Sequence, residues 1–339
     1  MALQALNRHP EALANYDRAV AIQKDYADAH FNQALALLTI GDFRRGFEKY
    51  EYRWQRTGMP ARRRGQGRPL WLGEFPLQGR TLLLQAEQGL GDTIQFARYV
   101  PLLAKTGAKI VLEVQPELKA LLAQLKGAAS VLARDEALPA FDVYCPLGSL
   151  PLALKTEPAT IPADVPYLTP DDARIAKWRA RLPQSERPRV AIAWSGSAKH
   201  INDRNRSIPF PRLASLWSDE SVQFISIQRE LRSNDAESLA GEARVTHIGA
   251  ELDDFADTAA VAALADLVIT VDTSVAHLAG ALGKPAWILL PYSPDWRWGL
   301  EDETSRWYPS ARLFRQTSLG QWDDVIASVT DELKQFAGR

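Results

Sequence analysis

Leu267-Val268-Ile269-Thr270-Val271-Asp272-Thr273-Ser274-Val275-Ala276-His277 is the stretch whose reading decides the fold. Residues 267–271 form a continuous apolar or β-branched run, which reads as a strand buried on both faces. Asp272, Thr273 and Ser274 follow at once, all good helix N-caps, and a helix of small residues then runs on to Gly283, placed as its C-cap. A buried strand passing directly into a helix N-terminus is the βα step of a parallel sheet. The helix start then lies at the carboxyl edge of that sheet, where α/β folds bind ligands.

The same alternation extends on both sides. Upstream, strands are expected over 81–86, 109–114, 131–133 and 141–145, with helices from 89 to about 104 and over 116–125. A polar helix over 171–182 precedes a second series. Its strands are 189–194, 222–228, 245–248, 267–271 and 286–290, its helices lie near 211–217, 235–240, 257–265 and 274–282, and a closing helix spans 321–336. Two successive units of this kind predict an α/β chain with two Rossmann-like domains facing a cleft. The expected division is 71–170 for the first domain and 171–339 for the second.

Residues 1–56 have another pattern. Shifted by about 34 residues, the period of a tetratricopeptide repeat, the segment overlays itself: Leu6 on Ile40, Asn7 on Gly41, Ala12 on Gly46, Tyr16 on Tyr50. Pro10 marks a helix start. Such arrays need about three repeats to stand alone, so these helices are either the tail of a longer array or dock on the domain that follows. Residues 57–70, with Arg62, Arg63, Arg64 and Arg68 among glycines and prolines, read as a solvated linker.

Composition narrows the function. The 339 residues carry a net charge of -1, with 46% hydrophobic and 24% charged residues. That balance fits a soluble globular protein and argues against nucleic acid as a partner. The one cysteine, Cys145, excludes an internal disulfide framework and a cysteine zinc cluster. No apolar run reaches the roughly 18 residues of a membrane span, and the N-terminus does not read as a signal peptide, so a cytoplasmic setting is expected.

Five motifs could carry chemistry. Glu87-Gln88-Gly89-Leu90-Gly91-Asp92 joins a strand to a helix. Its glycines, Gly91 included, permit close approach of a ligand, but the third glycine of a dinucleotide fingerprint is missing. Asp92 suits a general base aimed at an acceptor hydroxyl, and equally a helix cap. In the quoted stretch, the N–H groups and hydroxyls of Thr273 and Ser274 suit a diphosphate; Asp272 suits a cap or a sugar hydroxyl, and His277, one turn in, reads as a ligand contact. Ser195-Gly196-Ser197 with Lys199 and Arg206 can approach and neutralise a diphosphate leaving group. Gln228 and Glu230 follow another strand, where base or ribose contacts fall. Pro291–Trp298, with Trp307 and Tyr308 beyond, reads as a rigid aromatic loop over the cleft, most rings in the core and one exposed against a ligand. No D-x-D triplet, Walker loop, G-x-S-x-G or H-E-x-x-H occurs, so a bound metal is not expected and kinase, hydrolase and metalloprotease readings recede. A nucleotide-sugar epimerase or dehydrogenase is also disfavoured, since no lysine follows Tyr99 at the required offset.

Taken together, Gly89-Leu-Gly-Asp92, the Ser195–Ser197 loop with Arg206-Ser-Ile-Pro209, and Asp272-Thr-Ser-Val-Ala-His277 resemble the heptosyltransferase-like glycosyltransferases of family nine, over about residues 71–335. The tetratricopeptide-fused form is the most similar, Pro294-Asp-Trp-Arg-Trp298 included. The sequence departs from the group in having Ser274 where glycine is common. The resemblance implies a GT-B fold and a metal-independent, inverting transfer from a nucleotide-sugar substrate, with no cofactor. Asp92 would be the base, Asp272, Thr273 and His277 would bind donor phosphate, and Arg206 would contact phosphate. The acceptor would be a glycan, lipid or protein, with a protein partner on the repeat helices. The alternative is a non-catalytic tetratricopeptide scaffold with a degenerate sugar-nucleotide domain.

Overall fold

The computed structural model describes residues 2–56 and 67–338. Most of the expected linker, 57–66, lies outside the described residues. The chain forms two compact units: residues 1–164 together with 295–302, and residues 165–294 together with 303–339. The division thus falls after Asp164 rather than after 170, and the first unit takes in both the repeat helices and a short piece of the second half of the chain.

In the first unit, strands β1 (Thr81–Gln85), β2 (Lys109–Val114), β3 (Ala128–Ala133) and β4 (Val143–Pro146) make a parallel sheet of order β3-β2-β1-β4. Leu82, Leu83 and Leu84 are fully buried, as a central strand covered on both faces requires. The second unit holds β5 (Arg189–Ala193), β6 (Gln223–Ser226), β7 (Val245–His247), β8 (Leu267–Val271), β9 (Ala286–Leu290) and β10 (Ala311–Arg315). These pair, all in parallel, in the order β10-β9-β8-β5-β6-β7. In both sheets the first strand lies inside, and later strands are added first on one side and then on the other. This is the Rossmann order, whose reversal next to the first strand opens a crevice at the carboxyl edge.

The expected strands are present, with ends shifted by at most three residues. β10 was not anticipated: Arg312 and Arg315 interrupt its apolar run, as suits a strand at the sheet edge. The expected helix near 211–217 is a 3-10 turn, Phe210–Leu213, followed by one α-turn, Ala214–Trp217. An aromatic column fills this side of the core. Ring centroids are separated by 4.9 Å for Trp194–Phe210, 5.2 Å for Phe210–Trp217 and 4.9 Å for Trp217–Phe224. Buried Asp235 pins it, accepting from Trp194 Nε1 at 3.1 Å and from the Phe210 amide at 2.9 Å. The richness in tryptophan is here a matter of packing.

The repeat segment comprises helices His9–Ile22, Ala27–Thr39 and Phe43–Tyr50 and a 3-10 turn, Glu51–Gln55. Its internal period is visible in the backbone. Asn7 and Gly41, superposed by the sequence shift, both adopt positive φ (56° and 88°), each just before a helix. Gly46 lets two helices meet closely: a Cβ there would lie 2.6 Å from Leu38 Cδ2. The repeat helices dock on the domain that follows. Tyr50 Oη donates to Gln88 Oε1 at 2.9 Å, and Arg53 pairs with Glu87 at 3.1 Å.

Candidate functional sites in the two units

The first unit's candidate site stands at its crevice, between the ends of β1 and β4. β1 delivers Glu87, Gln88 and Gly89, and the helix Leu90–Phe96 starts immediately. Asp92, at the third helical position, reaches back so that Oδ2 accepts from the Gly89 amide at 2.9 Å. It therefore caps, as one of the two expectations had it. Its other oxygen, Oδ1, accepts from Nη2 of Arg297. The side chain keeps 24% of its exposure, so it is held by two partners and still reaches solvent.

Arg297 is itself heavily constrained. Its Nε donates to Gln95 Oε1, Nη1 donates to Asp295 Oδ1 at 2.8 Å, and the guanidinium lies 4.3 Å from the Trp296 ring centroid. Burial opposes its charge, but Asp295 and Asp92 outweigh burial and hold its pKa above the ordinary value. On the β4 side, Glu87 accepts from the Gly148 amide at 3.1 Å, and Arg53 donates to Ser149 Oγ at 2.7 Å. Burial raises the Glu87 pKa despite the attraction of Arg53, and pushes Tyr50 up to about 12. Most rings of the aromatic loop lie in the core, as expected. Trp296, Trp298, Trp307 and Tyr308 are all buried, and of the expected loop's rings only Tyr292 is partly exposed. Indole surfaces this large are withdrawn from water by packing rather than offered to a ligand.

In the second unit the crevice opens between β5 and β8. β5 leads into Trp194-Ser195-Gly196, and β8 into Asp272-Thr273-Ser274. Arg206 joins the two loops, Nη1 donating to the Asp272 carbonyl at 2.8 Å. Gly196 is shaped to that guanidinium: a Cβ there would lie 2.8 Å from Arg206 Cζ. Ser207 Oγ accepts from the Gly196 amide at 3.1 Å and donates to Asp203 at 2.8 Å, which fixes the loop. Thr273 caps the helix Ser274–Ala281, its hydroxyl accepting from the Val275 amide at 3.3 Å. Ser274, just inside the helix, is half-buried. His277 lies one turn further, buried, with Nδ1 2.9 Å from Tyr308 Oη.

The remaining predicted residues fall differently. Lys199 and Ser197 are exposed on the loop after β5, and Glu230 is exposed after β6. Gln228, expected at the base or ribose, is turned inward. Its Oε1 accepts from the amides of Trp194 and Ser195, each at 3.0 Å, and its Nε2 donates to the carbonyls of Ser195 and Glu230 at 3.1 and 3.0 Å. All of its amide capacity in these four bonds goes to the backbone, so here it shapes the Ser195–Gly196 turn instead of presenting itself to a ligand. Arg297, Tyr50 and Arg53 were missed as parts of the first unit's site. The only sequence signal was the Trp-Arg-Trp triplet itself. Among the described residues, no group of three or more His, Cys, Asp or Glu side chains is arranged to hold a metal ion. No helix among them is long and apolar enough to cross a membrane.

Comparison with known proteins agrees with this layout. Residues 2–41 match the model of the TPR repeat, and residues 166–311 match that of glycosyltransferase family 9 (heptosyltransferase). Protein FlbA of Caulobacter vibrioides is 27% identical over 94% of this chain, which spans 57% of that relative's length. Among solved structures, ADP-heptose LPS heptosyltransferase II of E. coli matches 76% of this chain and 98% of its own, with TM-score 0.55 at 16% identity. A family 9 glycosyl transferase from Veillonella parvula matches 77% of this chain and 91% of its own, with TM-score 0.52 at 10% identity. The shared fold is the GT-B type, with a parallel sheet in each unit. The chain is thus similar to TPR repeats over residues 2–41 and to the family 9, heptosyltransferase-like glycosyltransferases over residues 166–311.

Proposed function

We propose that this protein transfers a sugar from a nucleoside diphosphate donor to an acceptor hydroxyl, with inversion and without a metal ion. Asp92 takes the proton from the acceptor hydroxyl as its oxygen attacks the anomeric carbon. The bond to the donor's diphosphate breaks, and the electron pair leaves with the diphosphate. A single displacement of this kind inverts the anomeric centre. The leaving group's charge is met by the Arg206 guanidinium, by Lys199 and by the first turn of the Ser274–Ala281 helix. His277 takes a phosphate or sugar contact in this scheme, and Glu230 a ribose contact. The observation that carries the reading is the second unit's crevice. There a small-residue turn, a fixed guanidinium and a helix N-terminus converge where β5 and β8 end, which is the chemistry a diphosphate needs. The acceptor is a glycan, lipid or protein hydroxyl, the repeat helices bind a protein partner, and the setting is cytoplasmic.

The donor is found by thermal shift across UDP, GDP, ADP and TDP sugars. Ligand at about 100 times its dissociation constant adds roughly 2.7 kcal/mol of stability. With that donor, Asp92→Asn lowers the transfer rate by about 10²- to 10⁴-fold and changes the donor dissociation constant by less than about twofold. Equal loss of binding and transfer would remove Asp92 from the role of base. Donor binding with no transfer or hydrolysis by the unsubstituted protein would establish the scaffold reading instead.

A further inference from the structure

Asp92 is gripped from a distance in sequence. The segment Asp295–Asp302 lies in the second half of the chain yet belongs to the first unit, and its Arg297 bonds the one Asp92 oxygen that the Gly89 amide leaves uncommitted. The guanidinium cannot easily turn away. Gln95 and Asp295 take its other edges, Phe96 lies 5.7 Å below it and Trp296 4.3 Å from it. Trp296 is in turn held by the repeat segment, with Phe43 and Phe47 meeting its ring edge-on at centroid distances of 6.1 and 5.7 Å. A continuous packed path thus runs from the repeat helices through Trp296 and Arg297 to the carboxylate.

We propose that Arg297 is the positioning residue of Asp92 and that the repeat helices, through Trp296, hold Arg297 in place. The proposal rests on Asp92 being the base. A carboxylate with three rotamers about χ1 presents its free lone pairs to an acceptor only part of the time; fixing both oxygens leaves one direction of approach. The guanidinium suits this task because it is planar and donates in fixed directions, whereas an ammonium would bind as a point charge. The repeat segment then has a catalytic purpose within its own unit, apart from any partner it binds.

A double-substitution cycle on the full chain tests this, with the unsubstituted protein and Asp92→Asn as references. Arg297→Gln is expected to lower kcat by about 10²-fold with the donor KM within about twofold, a misplacement effect. Arg297→Lys recovers part of that loss, and guanidinium ion added to Arg297→Gln recovers part as well, which a purely structural defect would not allow. Combined with Asp92→Asn, Arg297→Gln costs no further activity, because the two act as one unit. Additive losses, or an unchanged kcat in Arg297→Gln, overturn the proposal while leaving Asp92 as base. An unchanged kcat in Asp92→Asn overturns the base reading itself.

Hydrogen exchange supplies a readout free of any substrate. Arg297→Gln and the milder Trp296→Phe are each expected to speed exchange at the Gly89 amide, whose acceptor is Asp92, with protection of β1 unchanged. Trp296→Phe serves where Arg297→Gln fails to fold. Unaltered Gly89 protection in a folded variant overturns the positioning role, whatever the activity.

Discussion

Gly196 and Arg206 share one small volume, and the absence of a side chain at 196 gives the guanidinium its place. A Cβ at 196 would meet the far end of a flexible side chain, not backbone. Gly196→Ala therefore displaces Arg206 from the Asp272 carbonyl and lowers the melting temperature by a few degrees without unfolding the chain. Hydrogen bonds to charged groups contribute about 1.5 to 3 kcal/mol, so donor affinity should fall by about tenfold or more in a calorimetric titration. At this scale the sequence was a fair guide. Asp92 and Thr273 stand where strands end and helices begin, and such junctions are set by neighbouring residues, while Arg206 ends a short helix, Asp203–Arg206, in the loop after β5. Gln228 shows where the guide fails: its four backbone bonds reach across from β6 to the loop after β5, a pairing that no local pattern announces.

At the scale of elements, the repeat segment matters most through its last turn. Arg53 keeps 2% of its side-chain exposure and carries Glu51, Glu87 and Ser149. Arg53→Met leaves two partly buried carboxylates without their cation and is expected to cost up to about 3 to 5 kcal/mol in denaturant unfolding. Adding Glu87→Gln restores part of it, since an ion pair removed whole is less damaging than one broken. The pH dependence has a definite sign. The folded-state pKa of Glu87 lies above its ordinary value, so its contribution is full below that value, about 4.5, and is lost as pH rises through the folded-state pKa. The Arg53→Met defect is therefore smaller at about pH 5 than at about pH 8. The period of the repeat was legible because Asn7 and Gly41 recur where the backbone needs positive φ. Its docking on Glu87 and Gln88 was not legible, because the same helices would serve a free array equally well.

At the scale of the whole molecule, the chain order and the units do not coincide. Residues 295–302 leave the second unit and complete the first. A fragment ending at Asp164 lacks Trp296 and Arg297, so Phe43 and Phe47 lose an aromatic partner and Asp92 its cation. Such a fragment is expected to bind the dye ANS and to unfold with less cooperativity than the first unit does within the full chain. Supplying residues 295–302 as a peptide should reduce dye binding; a fragment that unfolds as sharply without them would show that the segment is dispensable.

The amino-acid sequence by itself determined the two parallel α/β units, nearly all of their strands, the repeat helices and the junctions that bear Asp92 and Thr273. Each depends on periodicity, capping and turn chemistry within a few residues. Only the tertiary structure decided that Arg297 bonds Asp92 from about 200 positions away, that Arg53 and Tyr50 brace the same turn and that Gln228 is spent on backbone. Those contacts depend on which buried faces meet once the core has formed, and many sequences with the same local pattern would meet differently.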